Sequence, residues 1–304
     1  MAVVSVRPEG ARRVGEVDGA YLEVYHSALG EMPVLHVSGA ADALGRQHGF
    51  FVGDRILRNG RRIAAMFAEE GVPAGIVGRI LDAAWERMAP HVPEGYCREL
   101  AAIAEGAQAA GVDLSATDLQ RMTAVTNFDL YKREERFGEF LDPDTAAQLA
   151  RGNAPGMSCT MFAVWGSRTA DGKLFALRNL DWLAQTGMHE DRLVTVCRPE
   201  GAHPFVTMGY AGVVGALAGM NAEGISLSEV GAFSMAEELD GIPWTVMARR
   251  VLEESSCLED ASGIIQGARH TIGYNYLVAD GDPRRIGSAE FRPRAAAFET
   301  NHAC

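Results

Sequence analysis

The apolar residues of this chain change their spacing once, close to residue 159. From about residue 40 to residue 150 they recur every three or four positions, which is typical of amphipathic helices. From residue 159 onward they alternate with polar residues, which is typical of strands with one buried face. Because one segment cannot satisfy both periods, the chain must contain a mainly helical part followed by a part rich in strands.

The second part contains strand patterns before and after two helical patterns. Alternating runs at 159–167 and 173–180 flank the turn sequence TADG, and Asp-Gly between alternating runs is a strong hairpin signal. Helical patterns at 242–255 and 258–269 precede a strand, turn and strand at 274–291. This order predicts a layered α+β domain in which helices pack on antiparallel sheet.

The first part contains a short hairpin, AYLEVYH and MPVLHVSG, followed by several helices. Ser115 and Asp118 have the spacing of a capping box at the start of one helix. The helical part ends in RGNAPG, which combines glycine, asparagine and proline as exposed, flexible segments do. We therefore place a boundary between a mainly helical segment 1–158 and a core 159–304.

Composition excludes several classes of protein. A hydrophobic content of 47% supports a full core, and a net charge of −12 argues against a nucleic-acid partner. No apolar run approaches the roughly 20 residues of a membrane helix, and the first residues lack the pattern of a signal peptide, so we expect a cytoplasmic protein without membrane insertion.

The cysteines suggest neither a disulfide framework nor a metal site. Five widely spaced cysteines are an odd number, and none forms a C-x-x-C pair. His302 and Cys304 supply only two candidate ligands near a chain end, so we expect no metal and no cofactor. Four of the five thiols are expected to have no chemical role, and Cys159 is the exception.

The boundary and Cys159 coincide, which suggests a specific chemistry. If the chain were cut between Ser158 and Cys159, Cys159 would carry a free α-amine with an ordinary pKa near 8. That amine could act as a base for its own sulfur, so one residue would supply nucleophile and base. On the next hairpin arm, Arg178 would favour the thiolate and Asp181 would orient the amine.

These residues resemble the N-terminal-nucleophile (Ntn) hydrolases of the choloylglycine hydrolase and penicillin V acylase group. The helical part before the cysteine is more similar to the acyl-coenzyme A:6-aminopenicillanic acid acyltransferase branch, whose precursors cut themselves. The resemblance covers most of the chain and is carried by these motifs: Cys159-Thr160, SRTADGK, Arg178-Asn179-Leu180-Asp181-Trp182, AGMNAEGIS, GIPWTVMARRVLE, GYNYLVAD and Thr300-Asn301-His302.

The resemblance implies a four-layer αββα Ntn-hydrolase sandwich and a role for each matching residue. Cys159 would be the nucleophile, Arg178 would tune its sulfur, Asp181 would hold the amine, and Asn301 would donate to the oxyanion. The cleaved fragments would remain associated. The expected substrate is a small acylated amine or an acyl-coenzyme A.

This chain departs from the group's pattern at two places. Bile-salt hydrolases have a second oxyanion asparagine beyond the MN-x-x-G segment, and Gly231 stands at the corresponding place here. Relatives also continue well past the Thr-Asn-His segment. We therefore expect the core 159–304 to be incomplete at its C-terminal end.

Three functions remain open from the sequence. The first is a self-processing amidohydrolase or acyltransferase, an inactive precursor until cut, in which water or an amine or thiol acceptor opens a Cys159 thioester. The second is a catalytically impaired member of the group that acts as a binding module. The third is a lipid amidase with a broad apolar pocket, which would need an exposed apolar rim. The oligomeric state is open, with a homo-oligomer as one possibility.

Overall fold

The structure is a computed structural model of the 304-residue chain. It describes residues 11–27, 30–69, 73–127, 138, 143, 158–181, 187–232, 238–281, 285–292 and 295–301, with the backbone alone for Ser27, Ser158 and 285–301. The leader segment 151–157 and Trp182, which the sequence singled out, lie outside the described residues.

Within the described residues, the first part of the chain forms three strands followed by four α-helices. In order these are β1 (Arg12–Val17), β2 (Ala20–Ser27), β3 (Gly30–Gly39), α1 (Ala41–Glu69), α2 (Ala74–Met88), α3 (Glu94–Ala109) and α4 (Ala116–Val125). β2 and β3 form the predicted hairpin, and β1 extends it to three strands. The sequence pattern did not indicate β1.

Two sequence details in the helices explain local features. α1 is interrupted at Val52, where φ is −133° and ψ is 16°, so the two tandem helices that the pattern allowed are joined across a kink. At the start of α4 the Ser115 side chain accepts from the Asp118 N–H and the Asp118 carboxylate accepts from the Ser115 N–H. The predicted capping box is confirmed.

The second part alternates strands with two helices. Its elements are β4 (Ser158–Gly166), β5 (Gly172–Asp181), β6 (Arg192–Pro199), β7 (Phe205–Tyr210), β8 (Ala218–Asn221), β9 (Ile225–Gly231), α5 (Trp244–Glu254), α6 (Leu258–Gly267), β10 (Tyr274–Asp280), β11 (Arg285–Arg292) and β12 (Ala295–Asn301). The α+β class predicted from the sequence is confirmed.

Ten of the strands form one sheet that continues across the predicted boundary. Its order is β1-β2-β3-β6-β7-β8-β9-β10-β11-β12. β3 and β6 run parallel, and the other neighbouring strands of the described sheet run antiparallel. Strands from both sides of residue 158 therefore share one hydrogen-bonded ladder.

Helices cover this sheet and close a single core. α1 packs on β2, β3 and β6, α5 packs on β8 and β9, and α6 packs on β10. The core contains residues from both parts of the chain, including Leu35, Ile56 and Ile103 from the first part and Leu227 and Leu252 from the second. None of the helices in the described ranges combines the length and apolar character that a membrane span requires.

The hairpin β4–β5 forms a second, two-stranded sheet that packs against β9. Its turn is held by Thr169, whose hydroxyl donates to the Lys173 carbonyl, and by Asp171, whose carboxylate accepts from the Lys173 N–H. The hairpin predicted from TADG is confirmed. It brings Cys159 to the middle of the large sheet.

Candidate active site

The hairpin register places Cys159 and Arg178 on the same face. Cys159 pairs with Leu180 and Met161 pairs with Arg178, so Arg178 is the diagonal neighbour of Cys159. The Arg178 Nη2 lies 3.7 Å from the Cys159 Sγ, within the range of a hydrogen bond to sulfur. Cys159 is half-buried. The pairing of thiol and guanidinium is therefore a local consequence of the hairpin.

The pKa of Cys159 lies above that of an ordinary thiol in this uncut chain. Burial raises it most, and the negative charge of Glu229 raises it further. Arg178 and hydrogen bonds from the backbone N–H groups of Asp181 and Gly231 lower it, without reversing the shift. Arg178 acts in the expected direction, and its role toward the sulfur of the cut chain stays a prediction.

Glu229 is the site residue that the sequence did not indicate. Its carboxylate forms an ion pair with Arg178 Nη2, and its carbonyl accepts a 2.8 Å hydrogen bond from Arg178 Nε. Both side chains are buried, with 7% of Arg178 and 4% of Glu229 exposed. The only sequence signal for this residue was a charged side chain inside the alternating run ISLSEVG.

Burial raises the pKa of Glu229 to about 7, although Arg178 acts against the shift. A carboxylate with such a pKa accepts and releases protons near neutral pH, as a general base must. Perturbed acids of this kind are concentrated at functional sites. Cys159, Arg178 and Glu229 therefore form one coupled cluster.

Two tyrosines lie around this cluster. Tyr210, at the end of β7, is close enough to Arg178 and Cys159 for their charges to affect its pKa, which burial raises. Tyr276 pairs with Glu229 across β9 and β10 and is fully buried, so its pKa is also raised, by burial and by Glu229. Tyr210 thus lies on the Cys159 and Arg178 side of the cluster, and Tyr276 lies on the Glu229 side.

Asp181 contributes its backbone rather than its side chain to this arrangement. Its N–H donates to the Cys159 thiol, while its exposed carboxylate accepts a 2.8 Å hydrogen bond from Asn179 Nδ2. Asp181 pairs with Ser158, so it lies directly beside the predicted cleavage site. The role of its carboxylate toward a new α-amine stays a prediction.

Asn301 lies at the far end of the strand ladder. It pairs with Ile286, and the ladder leads across β10 to Ser226 on β9. Ser226 lies five residues before Gly231, the residue whose N–H donates to Cys159. At about 3.3 Å per residue, Ser226 and Gly231 are about 17 Å apart along β9. The ladder does not bring Asn301 to Cys159, so its oxyanion role stays a prediction from the resemblance.

The other cysteines and the candidate metal ligands show no comparable cluster. Burial raises the pKa of Cys197 to about 12, as expected for an inert core thiol. Across the described ranges, no three His, Cys, Asp or Glu side chains are grouped so that they could hold a metal ion. His302 and Cys304 lie outside those ranges.

Comparisons with known proteins agree with the motifs of the second part. Residues 167–303 match the model of the family described as acyl-coenzyme A:6-aminopenicillanic acid acyl-transferase. The matched range contains Arg178, Asp181, Glu229 and Asn301 and begins after Cys159. An uncharacterised protein of Archaeoglobus fulgidus is 24% identical over 275 residues, which cover 88% of this chain and 45% of that protein. The chain thus spans less than half the length of this relative.

Two solved structures show weaker likeness. The Caenorhabditis elegans ortholog of N-acylethanolamine-hydrolyzing acid amidase is 17% identical with a TM-score of 0.39, over 48% of this chain and 64% of that one. Penicillin V acylase from Agrobacterium tumefaciens is 11% identical with a TM-score of 0.28, over 48% and 41%. Both TM-scores are too low to support a conclusion about this chain. The family match itself confirms the resemblance seen in the sequence: residues 167–303 have the pattern of the acyl-coenzyme A:6-aminopenicillanic acid acyl-transferase family.

Proposed function

We propose that this protein is a self-processing cysteine enzyme that hydrolyses or transfers an acyl group at a linear amide. Cys159 is the nucleophile, and it acquires its α-amine when the bond to Ser158 is cut. The observation that carries the proposal is the contact of half-buried Cys159 with the buried pair of Arg178 and Glu229 beside that bond. The family match of residues 167–303 gives independent support.

In the processing step the Cys159 sulfur attacks the Ser158 carbonyl carbon. The thiol proton must first leave, and Glu229 is the neighbouring group whose pKa, at about 7, suits it as the acceptor. The C–N bond then breaks, leaving a thioester on Cys159 and a proton on its new amine. Water opens the thioester, which gives a carboxylate at Ser158 and restores the thiol.

In the mature enzyme the Cys159 amine replaces Glu229 as the base for the sulfur. The thiolate attacks the substrate carbonyl, the amine portion leaves with a proton, and an acyl thioester remains on Cys159. Water releases the acid, and an amine or thiol acceptor instead gives acyl transfer. We assign the hydrogen bond to the oxyanion to the Gly231 N–H, the group that donates to the sulfur in the uncut chain.

The substrate class is refined by the outer face of the hairpin. Phe162, Phe175 and Leu177 are 51%, 54% and 47% exposed, and they lie on the face opposite to Cys159. Exposed apolar faces of this kind occur at surfaces that meet lipid or another protein. A long-chain acylated amine is therefore our second candidate substrate, beside a small one.

The deciding experiment compares Cys159→Ala with Cys97→Ala. Cys97 is a partly buried thiol on α3 whose pKa is raised by burial, so its loss should leave processing unchanged. We expect wild type and Cys97→Ala to give two fragments by denatured mass analysis, one of them beginning with Cys159. Cys159→Ala should remain a single 32.6 kDa chain without amidase activity.

Two results would contradict this proposal. Undiminished turnover by Cys159→Ala would exclude Cys159 as the nucleophile. A wild-type chain that stays intact and does not react with a thiol probe at Cys159 would favour a binding module instead.

A further inference from the structure

A cavity of about 270 Å³ lies among α1, α2 and α4 in the helical part of the chain. Its wall is mainly apolar, and its lining includes Ile56, Ile63, Val77, Leu81 and Met122. This volume is close to the lower end of the roughly 300–1,000 Å³ of small-molecule sites. The cavity is not lined by Cys159, Arg178 or Glu229. It is therefore separate from the candidate active site, and a role for it goes beyond the function proposed above.

Small residues keep this cavity open where larger ones could fill it. Gly60 and Ala64 line it from α1, and Gly78 lines it from α2. A Cβ at Gly60 would meet nothing closer than the Met122 sulfur at 3.9 Å, so a larger side chain could be accommodated there. A glycine within a helix weakens that helix, by roughly 0.5–1 kcal/mol relative to alanine. The sequence thus retains an unfavourable residue where a filling residue would fit.

The charged groups of the lining differ in whether they already have partners. Arg121 makes two 2.7 Å hydrogen bonds to Asp82, and the Asp118 carboxylate caps α4 through Ser115. Arg61 is exposed, and no ion pair to it is found within the described residues. Among the described residues of this chain, which has a net charge of −12, Arg61 therefore offers a guanidinium without an ion pair beside the apolar cavity.

We propose that this cavity binds a medium-chain monocarboxylate, with the chain among α1, α2 and α4 and the carboxylate on Arg61. Apolar walls favour the chain, and a guanidinium fork matches a carboxylate in geometry and charge. The cavity wall also touches the second part of the chain. A Cβ at Gly212, two residues after Tyr210, would lie 2.6 Å from Met122 and 3.0 Å from Ile56.

The test uses full-length Cys159→Ala protein, so that reaction at the nucleophile cannot contribute to binding. Decanoate, decanol and decylamine are titrated by calorimetry below their micelle concentrations, with thermal unfolding as a second measurement. We expect one decanoate to bind per chain, with an affinity about fivefold higher than that of decanol. Decylamine should bind more weakly than either. A ligand that binds only the folded chain should also raise Tm with its concentration.

Two pairs of variants locate the site. Ala64→Leu should fill the cavity and abolish binding of decanoate and decanol, while Ala65→Leu, the exposed neighbour that does not line the cavity, should bind as before. Arg61→Gln should lower the affinity for decanoate about fivefold and leave the affinity for decanol unchanged. Arg79→Gln, on the exposed surface of α2, should change neither affinity. Because Arg61 is exposed, its variant tests the proposal even if Ala64→Leu fails to fold.

Three outcomes overturn the proposal. These are no decanoate binding, equal binding of decanoate and decylamine, and equal binding by the Ala64→Leu and Ala65→Leu proteins. The second would indicate a non-specific apolar surface, and the third a site elsewhere on the chain.

Discussion

In our proposal, Glu229 rather than Arg178 decides the chemistry of the uncut chain. Both Cys159 and Glu229 contact the same Arg178 nitrogen, so the guanidinium is shared between a thiol and a carboxylate. Burial makes both acids weaker than usual, and the Glu229 pKa of about 7 is the closest match to neutral pH. We therefore infer that the cluster serves proton transfer at neutral pH rather than holding a permanent thiolate.

We predict that Glu229→Gln slows self-cleavage by about 10²–10⁴-fold, the usual contribution of a general base. The carboxylate form accepts the thiol proton, so the wild-type cleavage rate should rise with pH through about 7. Glu229→Gln should lose this rise, since its amide does not titrate. Cleavage is followed by denatured mass analysis between pH 5.5 and 8.5.

The matched control is Glu223→Gln, an exposed glutamate near the start of β9. It should cleave at the wild-type rate with the same pH profile. If Glu229→Gln kept the wild-type pH dependence, another group would be the acceptor. Circular dichroism of each variant separates this result from misfolding.

The sequence was sufficient to predict that Cys159 and Arg178 lie close together, because one hairpin with a recognisable turn fixes their relative positions. Glu229 could not be found in the same way, since it reaches the cluster from β9 through tertiary packing. Periodicity tells which residues of a strand share a face but not which strand lies beside it. The parallel pairing of β3 with β6 was hidden for the same reason.

At the scale of elements, close approach of α1 and α3 explains the glycines of the segment LGRQHG. A Cβ at Gly49 would lie 1.9 Å from the Ile103 carbonyl oxygen, and one at Gly45 would lie 2.4 Å from the Glu99 carbonyl oxygen. Helical periodicity covers this segment, but periodicity does not identify the helix that packs against it. The sequence did not indicate β1 because most of its residues are exposed, and its strand conformation comes from pairing with β2.

We predict that Gly49→Ala lowers the free energy of unfolding by about 1–3 kcal/mol, the usual cost of overpacking. The added methyl group must push α1 away from α3, because the atom it meets belongs to backbone. Gly95→Ala on α3 is the control, since a Cβ there meets nothing within 4 Å. That substitution should be neutral or slightly stabilising. Urea unfolding of both variants compares the two sites, and equal midpoints would refute this packing account.

A second element-scale contact joins Asp191, the residue directly before β6, to α1. Asp191 accepts hydrogen bonds from Arg58 at 2.8 and 3.0 Å and from Arg62 at 2.6 Å, and only 4% of its side chain is exposed. Burial opposes ionisation of Asp191, but the Arg58 hydrogen bond and the charges of Arg58, Arg62 and Arg55 outweigh it. The pKa of Asp191 therefore lies below its ordinary value.

This depressed pKa predicts a contribution to stability that disappears in acid. The contribution is fully present above the unfolded pKa of about 3.9 and is lost as pH falls through the lower folded value. Asp191→Asn should lower the free energy of unfolding by about 1.5–3 kcal/mol at pH 7, the usual contribution of a hydrogen bond to a charged group. Below pH 4, the stability of this variant should fall less steeply than that of wild type. Glu190→Gln, the exposed neighbour that pairs with Arg62, should change little. Parallel acid profiles for wild type and Asp191→Asn would rule out this assignment.

At the scale of the whole molecule, the two predicted fragments are not separate domains in the folded chain. They share the sheet through β3 and β6, and they share a buried ion pair between α3 and α5. Arg249 donates two 2.8 Å hydrogen bonds to Glu99 and one of 2.8 Å to the Val214 carbonyl, and 6% of each charged side chain is exposed. A cut at residue 158 breaks neither contact, which supports our proposal that the fragments remain associated.

We predict that cleaved wild-type protein elutes from a sizing column as one species and that Glu99→Ala weakens this association. Removing Glu99 leaves Arg249 buried without its main partner, and breaking a buried pair in this way costs about 3–5 kcal/mol. Glu105→Ala, which removes an exposed carboxylate of the same helix, should stay within about 0.5 kcal/mol of wild type. In urea, the Glu99→Ala fragments should therefore separate at a lower concentration than those of wild type or Glu105→Ala. Cleaved wild-type fragments that separate without denaturant would show that the shared sheet depends on the intact chain, and our model of a two-fragment enzyme would then fail.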